Sequence, residues 1–328
     1  MNKAKTFILI VMIAALAFTG CGKNDDTVKK IRIAYFPNAT HAQALIMKNL
    51  QLLEAKLPSD VEVEYIPFNA GSSEVEAFFS GHVDVGYIGP VPAINANLKS
   101  GGDIVIISGA AHAGATLVVS SNSEITTFKD FENKRIAIPQ FGNTQHIALL
   151  NLLTENGLVD ALKGGNVEIV PVKNAEVEAM MLKGELDAAF IPEPWGSDLL
   201  QKGIATRFNY ESTLFGAVDD TTALVISSLE YLEEHRELVK LFLAAHIEAT
   251  EYLRDNPDSA KAIITEEIEN ATGKALAPGA LDQLFTYLEF DYEPLKESIM
   301  IYAGIFMDEG FVDGVVEEDE LFLEMLSD

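Results

Sequence analysis

The chain has 328 residues, 48% of them hydrophobic, and carries 50 acidic against 23 basic side chains, a formal charge of −27. That length and apolar content suit two globular domains, each with its own core, and exclude a disordered chain. So acidic a body is repelled by nucleic-acid phosphates, which excludes a DNA or RNA role, although clustered N–H dipoles can still hold an anion against a field screened over about 8–10 Å.

Taken in chain order, Lys3 and Lys5 precede an apolar run from Phe7 to Phe18, then Thr19-Gly20-Cys21-Gly22. The run is short of the roughly 20 residues a spanning helix needs, so residues 1–20 are expected to be a secretory signal peptide. Cys21 is the only cysteine, so no intramolecular disulfide can form. Its place directly after the small residue at the cut resembles the lipobox of bacterial lipoproteins. That resemblance implies a lipidated Cys21, with residues 21–30 as a polar tether to the membrane.

Strands are predicted at Ile31–Phe36, Val61–Pro67 and Val83–Ile88, with a helix between the first two running up to Pro58. Ser73 and Glu76 have capping-box spacing ahead of a second helix. This β-α-β-α-β order argues for a parallel sheet covered by helices. Ile104–Ser108 is a further strand, and the small residues Gly109 to Ala115 suit a crossing to a second lobe. Thr116–Ser120, Arg135–Pro139, Val167–Val172 and Ala188–Ile191 are strands of that lobe, with helices near 144–156 and 175–183. Leu224–Ser227 reads as its last strand, beside 116–120. From Leu229 the pattern is nearly all helical, with Pro257, Pro278 and Pro294 each placed for a first helical position.

The chain also repeats itself. Arg32-Ile33-Ala34 matches Arg135-Ile136-Ala137, and Gly81 with Asp84 matches Gly184 with Asp187, all at a spacing of 103 residues. Two matches in one order at one spacing point to two similar lobes. In the second copy the strand ends at Pro139, and Asn143 and Thr144 stand at the N-cap of the next helix. A strand, a short loop and a helix start aim unpaired N–H groups at an incoming anion. Asp84 and Asp187, at the opposite ends of their strands, read as structural acceptors of backbone N–H groups.

Several of these segments together resemble the substrate-binding proteins of ABC importers, in the nitrate/sulfonate/taurine family that also includes binders of thiamine pyrimidine precursors. The segments are Asn38 to Ala42, Glu76 to Asp84 with Gly89-Pro90, Gly142 to Gln145, Gly184 to Asp187, and Glu193-Pro194-Trp195. The resemblance implies a two-lobed, periplasmic-binding-protein-like α/β fold of type II. Each lobe would be a mixed, mostly parallel sheet flanked by helices, with a ligand cleft between them. Lobe 1 is expected to comprise residues 30–112 plus about 246–328, and lobe 2 about 113–245. The implied role is capture of a small polar or anionic solute outside the membrane, as a monomer. The solute then passes to a permease and its ATPase, with no cofactor, metal or chemistry.

The expected ligand contacts are Gly142, Asn143, Thr144 and Gln145 in lobe 2 and Asn38, Thr40 and His41 in lobe 1. Gly71, Ser72 and Ser73, Gly89 and Pro90, and Gly114 near the hinge complete the loops. Each of these serves equally as a cap, a turn or local packing. Glu193 would repel an anion unless the ligand also carries an amine, as taurine does, and a lobe–lobe or loop hydrogen bond is the alternative. Trp195 either walls the pocket or anchors its loop. The solute is expected to be of organosulfonate, taurine or nitrate type; the alternatives are a thiamine-pyrimidine-like heterocycle for the same kind of importer, or an enzyme or a sensory ectodomain on the same scaffold. Against an enzyme, the sequence has no Gly-x-Ser-x-Gly, Walker loop, HExxH or paired-cysteine motif.

Overall fold

The computed structural model describes residues 29–209, 220–312 and 315–325. The expected signal peptide, Cys21 and most of the tether lie outside these. Lobe 1 opens with β1 (Lys29–Tyr35), a short 3-10 turn at Ala39–His41, and α1 (Ala42–Leu50). It continues through β2 (Val61–Pro67), α2 (Gly71–Phe79), β3 (Val85–Ile88), α3 (Pro90–Ser100) and β4 (Ile104–His112). Lobe 2 comprises β5 (Ala115–Ser120), β6 (Arg135–Ile138), α4 (Thr144–Glu155), β7 (Glu168–Pro171), α5 (Asn174–Leu182), β8 (Ala188–Pro192), α6 (Trp195–Gln201) and β9 (Ala205–Arg207). The chain then re-enters lobe 1 as β10 (Thr221–Ser228), α7 (Leu229–Glu234), α8 (Arg236–Asp255), α9 (Pro257–Thr272), β11 (Glu289–Phe290), α10 (Lys296–Asp308) and α11 (Glu318–Leu321).

The two sheets are β11-β4-β10-β3-β1-β2 and β7-β6-β8-β5-β9. In the first, β1 pairs in parallel with β2 and β3, and β10 lies antiparallel to β3. In the second, β6 pairs in parallel with β7 and β8, and β5 lies antiparallel to β8. The internal repeat is therefore one structural unit used twice. It extends to the side chains that pin each unit. Asp84 accepts the Arg32 backbone N–H at 2.7 Å, and Asp187 accepts that of Arg135 at 2.9 Å. Both carboxylates stand at the N-terminal edge of their sheets, as the sequence predicts. The central strands β3 and β8 are buried at every residue, as parallel strands covered by helices on both faces must be.

Four expectations are corrected. Leu224–Ser227 does not lie beside 116–120: β10 pairs with β3 and β4, so 221–245 belong to lobe 1. The apolar run marked a strand correctly, but nothing local says which of two sheets a buried strand joins. The crossing is also shorter than Gly109–Ala115, because β4 continues to His112 and only Ala113 and Gly114 intervene before β5. Both adopt positive φ, 60° and 84°. The second helix starts at Gly71 with Ala70 as N-cap, so Ser73 lies within it, its hydroxyl donating to the Ala70 carbonyl at 2.9 Å. Of the three prolines, Pro257 alone takes the first helical turn; Pro278 lies in a turn, and Pro294 precedes the cap of α10.

One buried polar residue stands apart. Glu74, on α2, is fully buried, and neither carboxylate oxygen has a hydrogen-bond partner among the described residues. Its side chain fills the space over Gly86, where an added Cβ would lie 2.1 Å from the carboxylate. Burial pushes its pKa well above 4.5, so the folded state holds this proton over a range in which the unfolded chain releases it. Stability must then fall as pH rises above the ordinary carboxylate range. Glu74→Gln removes that dependence. In thermal melts the variant should gain on the native chain as pH rises from about 5 to about 8, and a pH-independent gap between the two would contradict this account.

Candidate functional site

All five loops that follow a carboxyl strand end at Phe36, Pro67, Ile88, Pro139 and Ile191 converge on one cavity between the lobes. Lobe 1 contributes Phe36, Asn38, Thr40 and His41 after β1, Asn69 to Gly71 after β2, and Gly89 with Pro92 after β3. Lobe 2 contributes Pro139, Asn143, Thr144 and Gln145 after β6, and Pro192 after β8. Asn174 and Thr222 also line it. The sequence reading missed both, and a signal existed for Asn174, which follows the carboxyl end of β7 and so obeys the same rule. Thr222 carried none, since it enters from the start of an antiparallel strand.

The cavity encloses about 30 Å³, room for a few heavy atoms at the 10–15 Å³ or so that a water-sized sphere occupies. None of the described residues lining it is Lys, Arg, Asp or Glu. Donors are supplied in their place by main chain and neutral side chains. At the start of α4, Asn143 caps the helix by accepting the His146 N–H at 2.9 Å, which leaves the N–H groups of Thr144 and Gln145 at the helix mouth. The Asn143 side-chain amide donates to Gln145 Oε1 at 2.9 Å and fixes both. Thr144 is 3% exposed and its hydroxyl has no partner among the described residues. The Asn174 side-chain oxygen is also unpartnered. A buried hydroxyl left unpaired costs about 1–3 kcal/mol, so Thr144 is poised to donate to a guest, whereas the Asn174 oxygen can only accept.

His41 is completed by the turn that carries it. Its Nδ1 accepts the Phe36 N–H at 3.1 Å, which places the ring proton on Nε2. Burial lowers its pKa to about 3, so it faces the cavity region as a neutral donor. Phe36 stacks on the ring, centroids 4.5 Å apart. Lobe 2 repeats the device. His146 Nδ1 accepts the Gly142 N–H at 3.0 Å, and Phe141 meets the ring edge-on at 5.2 Å. The spacing of 105 between the histidines, rather than 103, hid this match.

The remaining expected residues stand off the cavity. Gly142 has φ of 71° and serves the turn. Ser72 donates its backbone N–H across the cleft to the Gln140 side chain at 3.2 Å, while Ser73 is exposed. Pro90 heads α3. Gly114 lies in the hinge, packed by Leu288 and Thr40. Trp195 is buried in the core and lines a separate small space with Asn174 and Leu199. Glu193 is fully buried behind the cavity wall. Its Oε1 accepts from Thr116 at 2.6 Å and Tyr287 at 2.7 Å, and its Oε2 from the Ser197 N–H at 2.9 Å. Arg207 lies 3.3 Å away. Tyr287 comes from lobe 1, and the Glu193 carbonyl accepts the Ala39 N–H of lobe 1 at 2.8 Å. Glu193 therefore ties the lobes together.

The match to known families agrees with this architecture. The model of the NMT1-like family covers residues 24–266. The chain belongs to that family. It is 28% identical over 248 residues to the taurine-binding periplasmic protein of Escherichia coli (strain K12), an alignment covering 75% of this chain and 72% of that one. The alkanesulfonate-binding protein SsuA from Xanthomonas axonopodis pv. citri, solved with MOPS bound, superposes with a TM-score of 0.73 at 22% identity, over 89% of this chain and 98% of that one. The periplasmic nitrate-binding protein NrtA from Synechocystis PCC 6803 gives 0.67 at 13% identity, over 90% and 86%. Both structural likenesses establish the type of fold, a two-lobed binding-protein α/β architecture.

Because Glu193 is committed to protein donors, Glu193→Gln is expected to act on stability. It turns an acceptor into a donor facing the Ser197 N–H and should cost about 2–4 kcal/mol in denaturant unfolding. Undiminished stability with lost solute affinity would place Glu193 in the binding site instead.

Proposed function

We propose that this chain is the extracytoplasmic solute-binding component of an ABC importer, held at the membrane by a lipid on Cys21. It takes up a small anion of organosulfonate or nitrate type and delivers it unaltered to a permease. The observation that carries this reading is the cavity itself: small, shared between lobes, and lined by helix mouths and neutral donors. A helix N-terminus gives an anion about 0.3–1 kcal/mol, up to about 2 when partly buried. Micromolar binding needs about 8 kcal/mol, so no single loop suffices. The mouths of α2, α4 and α5 must act together with the Thr144 hydroxyl and the His41 ring, in a space that excludes water. Among the described residues Phe36 is the one Phe, Tyr or Trp that reaches the cavity, and it already stacks on His41, which gives a flat heterocycle little to stack on. The family match and the periplasmic relative support the location and the binding role.

A thermal-shift screen with taurine, ethanesulfonate, nitrate and a pyrimidine tests the reading. At 100 times its Kd a ligand adds about 2.7 kcal/mol to stability. One or more of the anions should raise the melting temperature and the pyrimidine should not. Thr144→Ala should weaken the scoring anion about 10- to 100-fold, the worth of a hydrogen bond to a charged group. The reverse ranking, or an unchanged affinity in the variant, defeats the assignment. Since His41 stays neutral, affinity should be flat between about pH 5 and pH 8; tightening toward acid would mean that a histidine is charging on binding.

A further inference from the structure

We infer that Gly89 is the contact on which closure of the cleft depends, and that its side-chain position sets how far Thr144 of lobe 2 can approach. The inference rests on the reading of this cleft as the solute site. Gly89 directly follows β3 and serves as N-cap of α3, with φ −74° and ψ 159°, an extended conformation open to any residue. Its own backbone therefore does not call for glycine. The demand comes from the other lobe. A Cβ built on Gly89 would lie 2.4 Å from Thr144 Oγ1 and 3.4 Å from Thr144 Cβ, while the nearest atom of its own lobe, the Thr222 carbonyl oxygen, is 3.6 Å away. The first distance is one that real Cβ atoms essentially never show. Thr144 has little room to yield, because its branched side chain has only two favoured χ1 settings in a helix and it is buried.

The same approach that crowds Gly89 holds the Thr144 hydroxyl, buried and without a partner among the described residues, against the cavity. Two further hydrogen bonds span the cleft in this arrangement, Ala39 N–H to the Glu193 carbonyl and Ser72 N–H to the Gln140 side chain. A side chain at 89 props the lobes apart at the point between them, so all three contacts are lost together. In the open arrangement nothing within lobe 1 opposes the added carbon. Gly89 is thus a positioning residue: substitution there leaves each lobe intact and removes tight binding.

The test compares the native chain with Gly89→Ser, Gly89→Ala, Thr144→Ala and the Gly89→Ser/Thr144→Ala double variant. Serine carries the disputed Cβ and is also a good N-cap, so it separates closure from capping, which alanine alone would confuse. Calorimetric titration with ethanesulfonate should show both Gly89 variants at least about tenfold weaker, as overpacking a tight contact implies. The unliganded melting temperature of Gly89→Ser should fall by no more than a few degrees, roughly the worth of the two lost cleft hydrogen bonds, because neither core is disturbed. The double variant should bind no more weakly than Thr144→Ala alone, since the clash partner is gone. Small-angle scattering without ligand should give a larger radius of gyration for Gly89→Ser than for the native chain. Native-like affinity in Gly89→Ser, losses that simply multiply in the double variant, or equal radii would each overturn the inference. Failure of the native chain to bind ethanesulfonate would count against the solute class instead, and the scattering comparison would still decide the role of Gly89.

Discussion

Unpaired backbone N–H groups at the ends of buried strands and the starts of helices are the constraint around which this molecule is arranged. Each lobe gathers such groups at the carboxyl edge of its sheet, because β1, β2, β3 and β6, β7, β8 all run the same way. In one lobe alone they would face solvent and find water. Two lobes set edge to edge bring them onto one volume of about 30 Å³, where water competes poorly and a compact acceptor satisfies several at once. On the proposed reading, a capped helix mouth and a glycine turn thereby become a recognition surface without a formal charge among the described lining residues.

Holding that arrangement falls to groups outside the cavity. Asp84 and Asp187 anchor the far ends of the strands through the N–H groups of Arg32 and Arg135. Glu193 collects donors from both lobes. The Ala113 N–H donates to the Asp220 carbonyl at 2.6 Å, which links the two chain crossings. Helix α10 packs against α3 of lobe 1 and α4 of lobe 2, with Glu309 just beyond its end paired to Lys163 across the gap. The carboxylates of this acidic chain that matter most for the site therefore act at its periphery, where they fix main chain and leave the cavity neutral.

Much of this was legible in the residues. Apolar runs of four to seven with β-branched content marked the strands, and Asn143 marked the start of α4 because an Asx side chain is a local cap that needs no partner from elsewhere. Glycine and aspartate at matched positions disclosed the repeat. What stayed hidden depends on distant pairing. The strand at 224–227 carries no address for its sheet. Glu193 looks like a cleft carboxylate until Thr116, Tyr287 and Ser197 are seen to surround it. Gly89 looks like a turn glycine, and only the approach of Thr144 explains it. Glu74 escaped notice because an acid in the first turn of a helix reads as a solvated group that the helix dipole favours.

The contrast between a neutral cavity and a body of charge −27 has a kinetic side. An approaching anion meets long-range repulsion that ions in the medium can mask, whereas the dipoles that retain it act over a few ångströms inside a shielded space. Capture and retention are consequently governed by different forces. For the proposed anionic solute, added salt would speed the first and leave the second nearly untouched, so affinity would rise with salt through faster encounter while the rate of release stayed fixed.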